Sequence, residues 1–265
     1  MKVNGKELAV EQHGDGEAVL MIHGLGGSSN TWFGQRRMLA RYFNVVCPDL
    51  DGSSRSPLSG TLSIDGFVED MVALLDALDI ESAHVVGHSM GTIVCQHLAV
   101  SHSTRVRSML LMGPLAEPPP PARKALTDRA ALARKEGMVP IADAMVGVSI
   151  SENTRANQPT VAAMVREILM RQSAEGYAKT CEALAGAKAA EVERVCCPTL
   201  LLTGDEDPVG PPANTQDLAK RIPDSSMLIF SRTGHWTPIE RPFEVNKAML
   251  NFYLGGSRDK WSKSS

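Results

Sequence analysis

The stretch Ala83-His84-Val85-Val86-Gly87-His88-Ser89-Met90-Gly91 runs from one apolar segment through a tight turn into a second apolar segment. The first segment is typical of a buried strand, and the segment that begins at Met90 is typical of a helix. The turn fits the pattern Gly-x-Ser-x-Gly, in which the serine takes a strained backbone and the glycines leave room that side chains would fill. We therefore predict that the Ser89 hydroxyl projects from the carboxyl edge of a sheet, beside a helix N-terminus that favours negative charge. The alternative, an incidental Gly-Ser turn, fits the flanking strand and helix less well.

Strand and helix patterns alternate on both sides of this turn. The chain opens with Asn4-Gly5 between short alternating segments, which is typical of a β-hairpin. Strictly alternating strands and helices require crossover connections, so the pattern predicts an α/β protein whose sheet is mostly parallel, with helices on both faces. The predicted strands are residues 17–23, 44–48, 83–87, 105–112, 198–203 and 226–230, and the predicted helices are residues 33–41, 63–78, 90–102, 213–221 and 242–254.

The alternation stops after residue 113. Gly113-Pro114 and the run Pro118 to Pro121 are breakers, and residues 122–195 show several helical patterns without a convincing strand. We interpret residues 115–195 as an inserted helical cap. The predicted organisation is a core of residues 1–114 and 196–256, this cap, and a flexible tail of residues 257–265.

Composition limits the kinds of partner. The chain has 265 residues, 43% of them hydrophobic and 22% charged, with a formal net charge of −3. Lysine and arginine are scattered along the sequence and form no basic cluster of the kind that binds nucleic acid or an anionic membrane. The longest apolar runs are far shorter than the roughly 20 residues of a membrane span. Five cysteines, an odd number with one vicinal pair, favour a reducing compartment and hence the cytoplasm.

A serine hydroxyl is a weak nucleophile at neutral pH and needs a general base. Of the seven histidines, His235 follows the last predicted strand in Gly234-His235-Trp236, where it can reach back over Ser89. His88 is expected to point away from the serine, and His23 to shape its glycine-rich loop by hydrogen bonds. Trp236 either walls the substrate pocket or covers the edge of the core, and we predict the substrate-binding role.

The base in turn needs a carboxylate that holds its tautomer and stabilises the imidazolium. Gly204-Asp205-Glu206-Asp207 supplies three acids directly after a strand, and the residues alone leave the choice between Asp205 and Asp207 open. Acyl transfer also needs donors for an oxyanion. The backbone N–H of Met90, next to Ser89, and that of Leu25, in the glycine-rich loop, are the candidates.

Five motifs together resemble the α/β-hydrolase superfamily over almost the whole chain, and most closely its 3-oxoadipate enol-lactonase-like group. The resemblance implies an eight-stranded sheet and places the acid at Asp207, so that the order is Ser89, Asp207, His235. It implies cleavage of a small-molecule carboxylic ester or lactone, with no cofactor. The motifs are His23-Gly24-Leu25-Gly26-Gly27, Asp49-Leu50-Asp51-Gly52-Ser53-Ser54-Arg55-Ser56, Gly87 to Gly91, Gly204 to Asp207, and Gly234-His235-Trp236-Thr237-Pro238-Ile239-Glu240-Arg241-Pro242.

Several alternatives stay open. Carbon–carbon bond hydrolases and perhydrolases use the same triad, and a small-molecule receptor can retain it, so the fold does not decide between them. The Ser53-Ser54 pair departs from the Gly-His common in relatives. Neither the oligomeric state nor the natural substrate follows from the sequence. A lactonase for a dicarboxylate needs cationic anchors, for which the cap offers Arg123, Arg134, Arg155, Arg166 and Arg171, although we interpret most of these as solvated.

Overall fold

The computed structural model describes residues 1–255, which form nine strands. Seven of these strands form one sheet, in the order β3-β5-β4-β6-β7-β8-β9, and only the β3–β5 pair is antiparallel. The predicted α/β class with a mostly parallel sheet is confirmed. The strands are β1 (Lys2–Val3), β2 (Lys6–Glu7), β3 (Val10–His13), β4 (Ala18–Ile22), β5 (Asn44–Pro48), β6 (Ala83–His88), β7 (Val106–Met112), β8 (Thr199–Gly204) and β9 (Ser225–Phe230).

The sheet has seven strands where the resemblance implied eight. The first two strands pair only with each other, as a hairpin whose turn carries Asn4 and Gly5 at positive φ. Each of them is two residues long, so the hairpin ends before β3 joins the large sheet. The predicted hairpin is therefore present, but its strands do not extend the central sheet.

Side chains of the central strands alternate between two apolar cores, one on each face of the sheet. In β4, Leu20 and Ile22 belong to the larger core, whereas Val19 and Met21 belong to the smaller one. All four side chains are fully buried. A strand covered on both faces is an unbroken apolar run, which explains why β4 carries no polar residue.

Helices cover both faces. The larger core includes residues of α2 (Ile64–Ala77) and α3 (Met90–Ser101), and the smaller core includes residues of α1 (Phe33–Leu39) and α11 (Pro242–Leu254). The Ser63 side chain accepts a hydrogen bond from the Gly66 N–H, which caps α2 as predicted. The remaining α-helices outside the insert are α9 (Pro212–Arg221) and the short α10 (Thr237–Glu240), and short 3-10 helices lie at Ser29–Trp32 and Ser103–Arg105.

Between β7 and β8 the chain forms five α-helices, which we call the helical insert, and then a short 3-10 helix at Val192–Arg194. The pair α4 and α8 packs together, as does the pair α5 and α7. Among residues 1–255, no helix combines the length and the apolar composition that crossing a membrane requires. The predicted flexible tail lies outside the described residues. The helices of the insert are α4 (Pro120–Glu136), α5 (Met138–Ser149), α6 (Glu152–Asn157), α7 (Pro159–Met170) and α8 (Ala174–Ala185).

Candidate active site

Ser89 occupies a sharp turn between β6 and α3. Its backbone has φ 53° and ψ −122°, a conformation that costs free energy for any residue with a side chain. The Ser89 N–H donates to the Met112 carbonyl at 2.9 Å, and the Ser89 carbonyl accepts from the Thr92 N–H at 2.8 Å. The last residue of β7 and the first turn of α3 thus hold the strained turn in place. Ser89 lies at the carboxyl edge of the sheet.

The turn is tight enough that Gly91 cannot carry a side chain. A Cβ there would lie 2.2 Å from the Ile22 carbonyl oxygen at the end of β4. On the opposite side, a Cβ on Gly24 would lie 2.7 Å from the Cβ of Ser89. The glycine-rich loop after β4 therefore packs directly against the serine, which is where donors for an oxyanion have to be.

His235 and Asp207 form a buried pair. The Nδ1–H of His235 donates to Oδ2 of Asp207 at 2.8 Å, and the other carboxylate oxygen accepts the N–H groups of Val209 and Gly210, each at 2.8 Å. Burial alone would raise the pKa of Asp207, but the His235 imidazole and the two amides outweigh it and hold that pKa below its usual value. The carboxylate stays charged and fixes the ring with Nε2 free to take a proton.

The structure distinguishes the two aspartates that the sequence left open. Asp205 is exposed, and its carboxylate accepts the Thr233 N–H at 3.2 Å. Only the Asp207 side chain is turned toward His235. The turn that begins at Gly204, whose carbonyl accepts the Asp207 N–H, places the two side chains on different sides of the loop.

Ser89 and His235 line the same cavity but are not joined by a hydrogen bond in the described structure. Serine and base are often loosely placed in a site without substrate and approach each other when it binds. Gly113, which has positive φ and follows β7, packs against the Asp207–His235 pair. A Cβ on this residue would lie only 2.9 Å from the His235 ring. The structure thus brings the candidate base His235 and the candidate acid Asp207 into contact and places Ser89 and His235 around one cavity.

The two candidate oxyanion donors lie on either side of Ser89. Met90 is the first residue of α3, ahead of the hydrogen bond from Thr92 to Ser89, so its N–H has no partner in the helix. Leu25 is half-buried, lines the cavity, and donates no backbone hydrogen bond within residues 1–255. Both N–H groups are therefore free to bind a negatively charged oxygen.

His88 was expected only to point away from Ser89, and the structure adds that its ring contacts the loop that carries His235. Its Nε2–H donates to the His235 carbonyl at 2.9 Å, and its ring centroid lies 5.0 Å from that of His235 and 5.2 Å from that of Trp236. Burial, and next the neighbouring His235, lower the pKa of His88 to about 3. His88 is therefore a neutral donor that holds the backbone of the candidate base His235.

This shift predicts a measurable dependence of stability on pH. An unfolded His88 takes up a proton near its ordinary pKa of 6.5, whereas the folded one does so only near 3. Stability should therefore fall as the pH drops between these values, with a slope that approaches the limit for one proton in the middle of this range. His88→Gln keeps a donor but cannot titrate, so its free energy of urea unfolding should change less between pH 7 and pH 5. The exposed His13→Gln is the control, and equal slopes for His88→Gln and the wild type would contradict the account.

The cavity at the serine has a volume of about 440 Å³ and lies between the sheet edge and the helical insert. Trp236 is buried beside His235 and lines it, with its Nε1–H donating to Ser149 Oγ at 2.9 Å. The walls are mainly apolar. Besides the residues already named, they include Leu115, Glu117, Pro118, Pro119, Ala122, Ala125, Leu126, Arg129, Met145, Leu169, Tyr177, Leu184, Pro208, Val209, Pro211 and Asn214.

Comparison with known proteins places this geometry in a family. A sequence profile described as the alpha/beta hydrolase fold matches residues 17–147, and one described as TAP-like protein matches residues 168–264. The 3-oxoadipate enol-lactonase 2 of Acinetobacter baylyi is 30% identical over 238 residues, which cover 89% of this chain and 88% of the relative. This chain belongs to the α/β-hydrolase family.

Other relatives of this α/β-hydrolase are named for different hydrolase reactions. A RutD protein of Caulobacter sp. (strain K31), named as a carbamate hydrolase, is 30% identical over 254 residues, with 92% of this chain and 95% of the relative covered. The solved structure of a thermophilic esterase from Thermogutta terrifontis with malate bound matches with a TM-score of 0.90 at 28% identity, covering 95% of this chain and 96% of that one. These relatives are hydrolases, which supports hydrolase activity for this chain, and their names refer to small molecules.

None of the five arginines proposed as anchors lines the cavity of this α/β-hydrolase. Each is hydrogen-bonded to another group of the protein, for example Arg166 to Asp143 at 2.7 Å and Arg171 to Glu167 at 2.9 Å. Arg134 contacts two glutamates, Arg123 contacts Glu117, and Arg155 donates to backbone carbonyls.

Sequence reasoning missed Arg129, the arginine that does line the cavity. Its guanidinium is half-buried and donates to the Met145 sulfur at 3.2 Å. Within residues 1–255 it forms no ion pair with a carboxylate. The sequence held no signal for this role, because α4 carries several basic residues and only its packing shows which one faces inward.

Proposed function

We propose that this α/β-hydrolase cleaves a carboxylic ester or lactone of a small molecule through an acyl-enzyme formed on Ser89. One observation carries the proposal. The buried Asp207–His235 pair, 2.8 Å apart, shares a cavity with a serine held in a strained turn. Strain at such a turn persists only where the surrounding structure enforces it, and it is common at nucleophiles.

His235 acts as general base. With Nδ1–H donated to Asp207, Nε2 takes the proton of the Ser89 hydroxyl while Oγ attacks the substrate carbonyl carbon. The tetrahedral intermediate collapses, the bond to the alcohol oxygen breaks, and the imidazolium returns the proton to that oxygen. Water then loses a proton to Nε2 and attacks the acyl carbon. The bond from that carbon to Ser89 Oγ breaks, the imidazolium returns the proton to Oγ, and the acid is released.

The N–H groups of Leu25 and Met90 stabilise the oxyanion in both steps. A preorganised donor of this kind typically contributes about 3 to 4 kcal/mol to transition-state stabilisation. In a lactone the leaving alcohol stays tethered to the acyl group. Deacylation then has to be faster than reclosure of the ring.

The helical insert provides selectivity in this proposal. We keep residues 115–195 as a cap over a core of residues 1–114 and 196–256, because insert side chains such as Leu126, Met145 and Tyr177 form one wall of the cavity. Trp236 forms part of the opposite wall, next to the base. The cytoplasmic location stays a prediction from the cysteines, which are all unpaired in the structure.

Arg129 indicates which charged group the substrate carries. We infer that its guanidinium binds a carboxylate of the substrate, since it lines an otherwise mainly apolar cavity and forms no ion pair within the described chain. The names of two relatives point the same way, because 3-oxoadipate and malate are both carboxylates.

Arg129→Met should therefore discriminate between charged and neutral esters. We expect kcat/KM for mono-p-nitrophenyl succinate to fall about 10- to 100-fold, the usual worth of a charge-assisted hydrogen bond. The value for neutral p-nitrophenyl butyrate should change little. Arg134→Met, which removes two surface ion pairs, is the matched control. Equal losses on both esters in Arg129→Met would contradict this role.

A second candidate reaction, carbamate hydrolysis, is favoured by the relative named for it. A panel of p-nitrophenyl acetate, aryl carbamates, lactones and the succinate monoester, compared by kcat/KM, separates the two. We expect turnover of esters and lactones, with carbamates slower. Faster carbamate turnover would move the assignment to that reaction, and no turnover by folded protein would favour a receptor.

A further inference from the structure

The loop that carries the base is held by a carboxylate that the mechanism does not use. Glu240 ends α10 and is 1% exposed. Its Oε2 accepts the Gly234 N–H at 3.1 Å, and its Oε1 accepts the Trp236 N–H at 3.2 Å. One carboxylate therefore brackets His235 from both sides through the backbone.

The same carboxylate contacts the helical insert. The Ser151 N–H, between α5 and α6, donates to Oε2 of Glu240 at 3.1 Å. Two further contacts lie beside it, because the Ser149 carbonyl accepts the His235 N–H at 2.8 Å and Ser149 Oγ accepts the Nε1–H of Trp236. The end of α5 and the base loop thus form one hydrogen-bonded unit with Glu240 at its centre.

This unit extends to the cavity wall. Ser149 Oγ donates to the Met145 carbonyl at 2.6 Å, and the Met145 side chain lines the cavity. The segment after Ser151 also reaches the loop that carries the acid, because the Glu152 N–H donates to Glu206 at 3.1 Å. The loops of acid and base are therefore both hydrogen-bonded to one short segment of the insert.

The chemistry of these contacts needs a carboxylate. Three N–H donors converge on two oxygens, and an amide offers only one oxygen, so it would turn its NH₂ toward at least one N–H. Among the described residues no side-chain cation pairs with the Glu240 carboxylate, which is held by backbone donors. A carboxylate buried without a partner cation costs folding free energy. Apolar side chains in the same place often stabilise a fold equally well, so stability alone does not explain Glu240. Its presence next to the base points to control of geometry.

We propose that Glu240 is a positioning residue that fixes the backbone of His235 and ties it to the helical insert. Asp207 fixes the ring of the base, and Glu240 fixes the main chain that carries the ring. The inference rests on the proposed function, in which His235 is the base. It adds that the helical insert, besides covering the cavity, fixes the position of the His235 backbone.

Glu240→Gln is the test, and Glu244→Gln, an exposed carboxylate on α11, is the matched control. With p-nitrophenyl acetate we expect kcat of Glu240→Gln to fall about 10- to 100-fold at nearly unchanged KM, since a small misplacement of a catalytic group costs that much. The second readout is the NMR signal of the His235 Nδ1 proton, assigned by its loss in His235→Gln. We expect it to be lost or to exchange about tenfold faster in Glu240→Gln and to stay unchanged in Glu244→Gln.

Wild-type kcat and an unchanged Nδ1 signal in folded Glu240→Gln would overturn the proposal. If that variant does not fold, Glu240→Asp replaces it, because the shorter carboxylate keeps the charge but cannot reach both sides of the loop, and the same two results decide. If the wild type hydrolyses no ester, the proposed function fails, whereas the NMR comparison still tests the role of Glu240.

Discussion

Ser89→Ala is expected to lower kcat for p-nitrophenyl acetate by about 10⁴- to 10⁶-fold, the range for removal of a nucleophile that acts as a unit with its base. The reason is that alanine leaves no oxygen for the acyl group, while the oxyanion donors and the cavity stay in place. The side chain is small and 7% exposed, and its removal from a strained turn leaves only a small void. The melting temperature should therefore stay within a few degrees of the wild type.

Ser101→Ala is the matched control, because Ser101 is an exposed serine at the far end of the same helix. Its turnover should equal that of the wild type. Steady-state rates of Ser89→Ala and Ser101→Ala at equal concentration, together with thermal unfolding, are the measurement. Turnover in folded Ser89→Ala within about tenfold of the wild type would mean that another group attacks the carbonyl.

Asp207→Asn is expected to have the second largest effect, a loss of about 10⁴-fold in kcat. An asparagine of the same shape either turns its NH₂ toward Nδ1 of His235, which stabilises the wrong tautomer, or accepts without the charge that stabilises the imidazolium. Asp207 also accepts the N–H groups of Val209 and Gly210, so some loss of stability accompanies the loss of activity.

Asp205→Asn is the control, two residues away in the same loop. Its carboxylate is exposed and accepts the Thr233 N–H, which the amide oxygen of asparagine also does. We expect its kcat to stay within about twofold of the wild type. If instead Asp205→Asn removes activity and Asp207→Asn retains it, the acid has been assigned to the wrong residue.

Much of the fold could be predicted because local pattern and global structure agree. The largely apolar segment before Gly87 predicted a strand that the structure contains, and the helix signals at Ser63 and Pro242 coincide with observed helix starts. The strand count of the sheet could not be predicted. Whether a short hairpin joins a sheet depends on its length and on the path of the chain after it, and Lys2–Glu7 pairs only with itself.

The candidate site was predictable where a residue is fixed by its own turn, as Ser89 is. The choice between Asp205 and Asp207 depended on resemblance, because neighbouring acids in a loop differ only in the direction that the turn gives them. The contact of His88 could not be predicted from the sequence. Its contact with the His235 carbonyl joins residues far apart in sequence, and no local pattern shows such a contact.

Arg129 and Glu240 were not identified from sequence for the same reason. Arg129 is one of several basic residues on α4, and the packing of α4 on α8 decides which of them faces the cavity. Glu240 belongs to a motif that supported the family resemblance, yet its three donors come from both sides of His235 and from the insert. Such roles arise only when separate segments meet.

The most direct test of the account is to map the adduct of a fluorophosphonate probe by mass spectrometry on the wild type and on His235→Ala. The account predicts one adduct on the peptide that contains Ser89, formed at least about 100-fold more slowly without the base. Contradiction would come from folded wild-type protein that carries no adduct or carries it on another residue, or from His235→Ala that reacts as fast as the wild type.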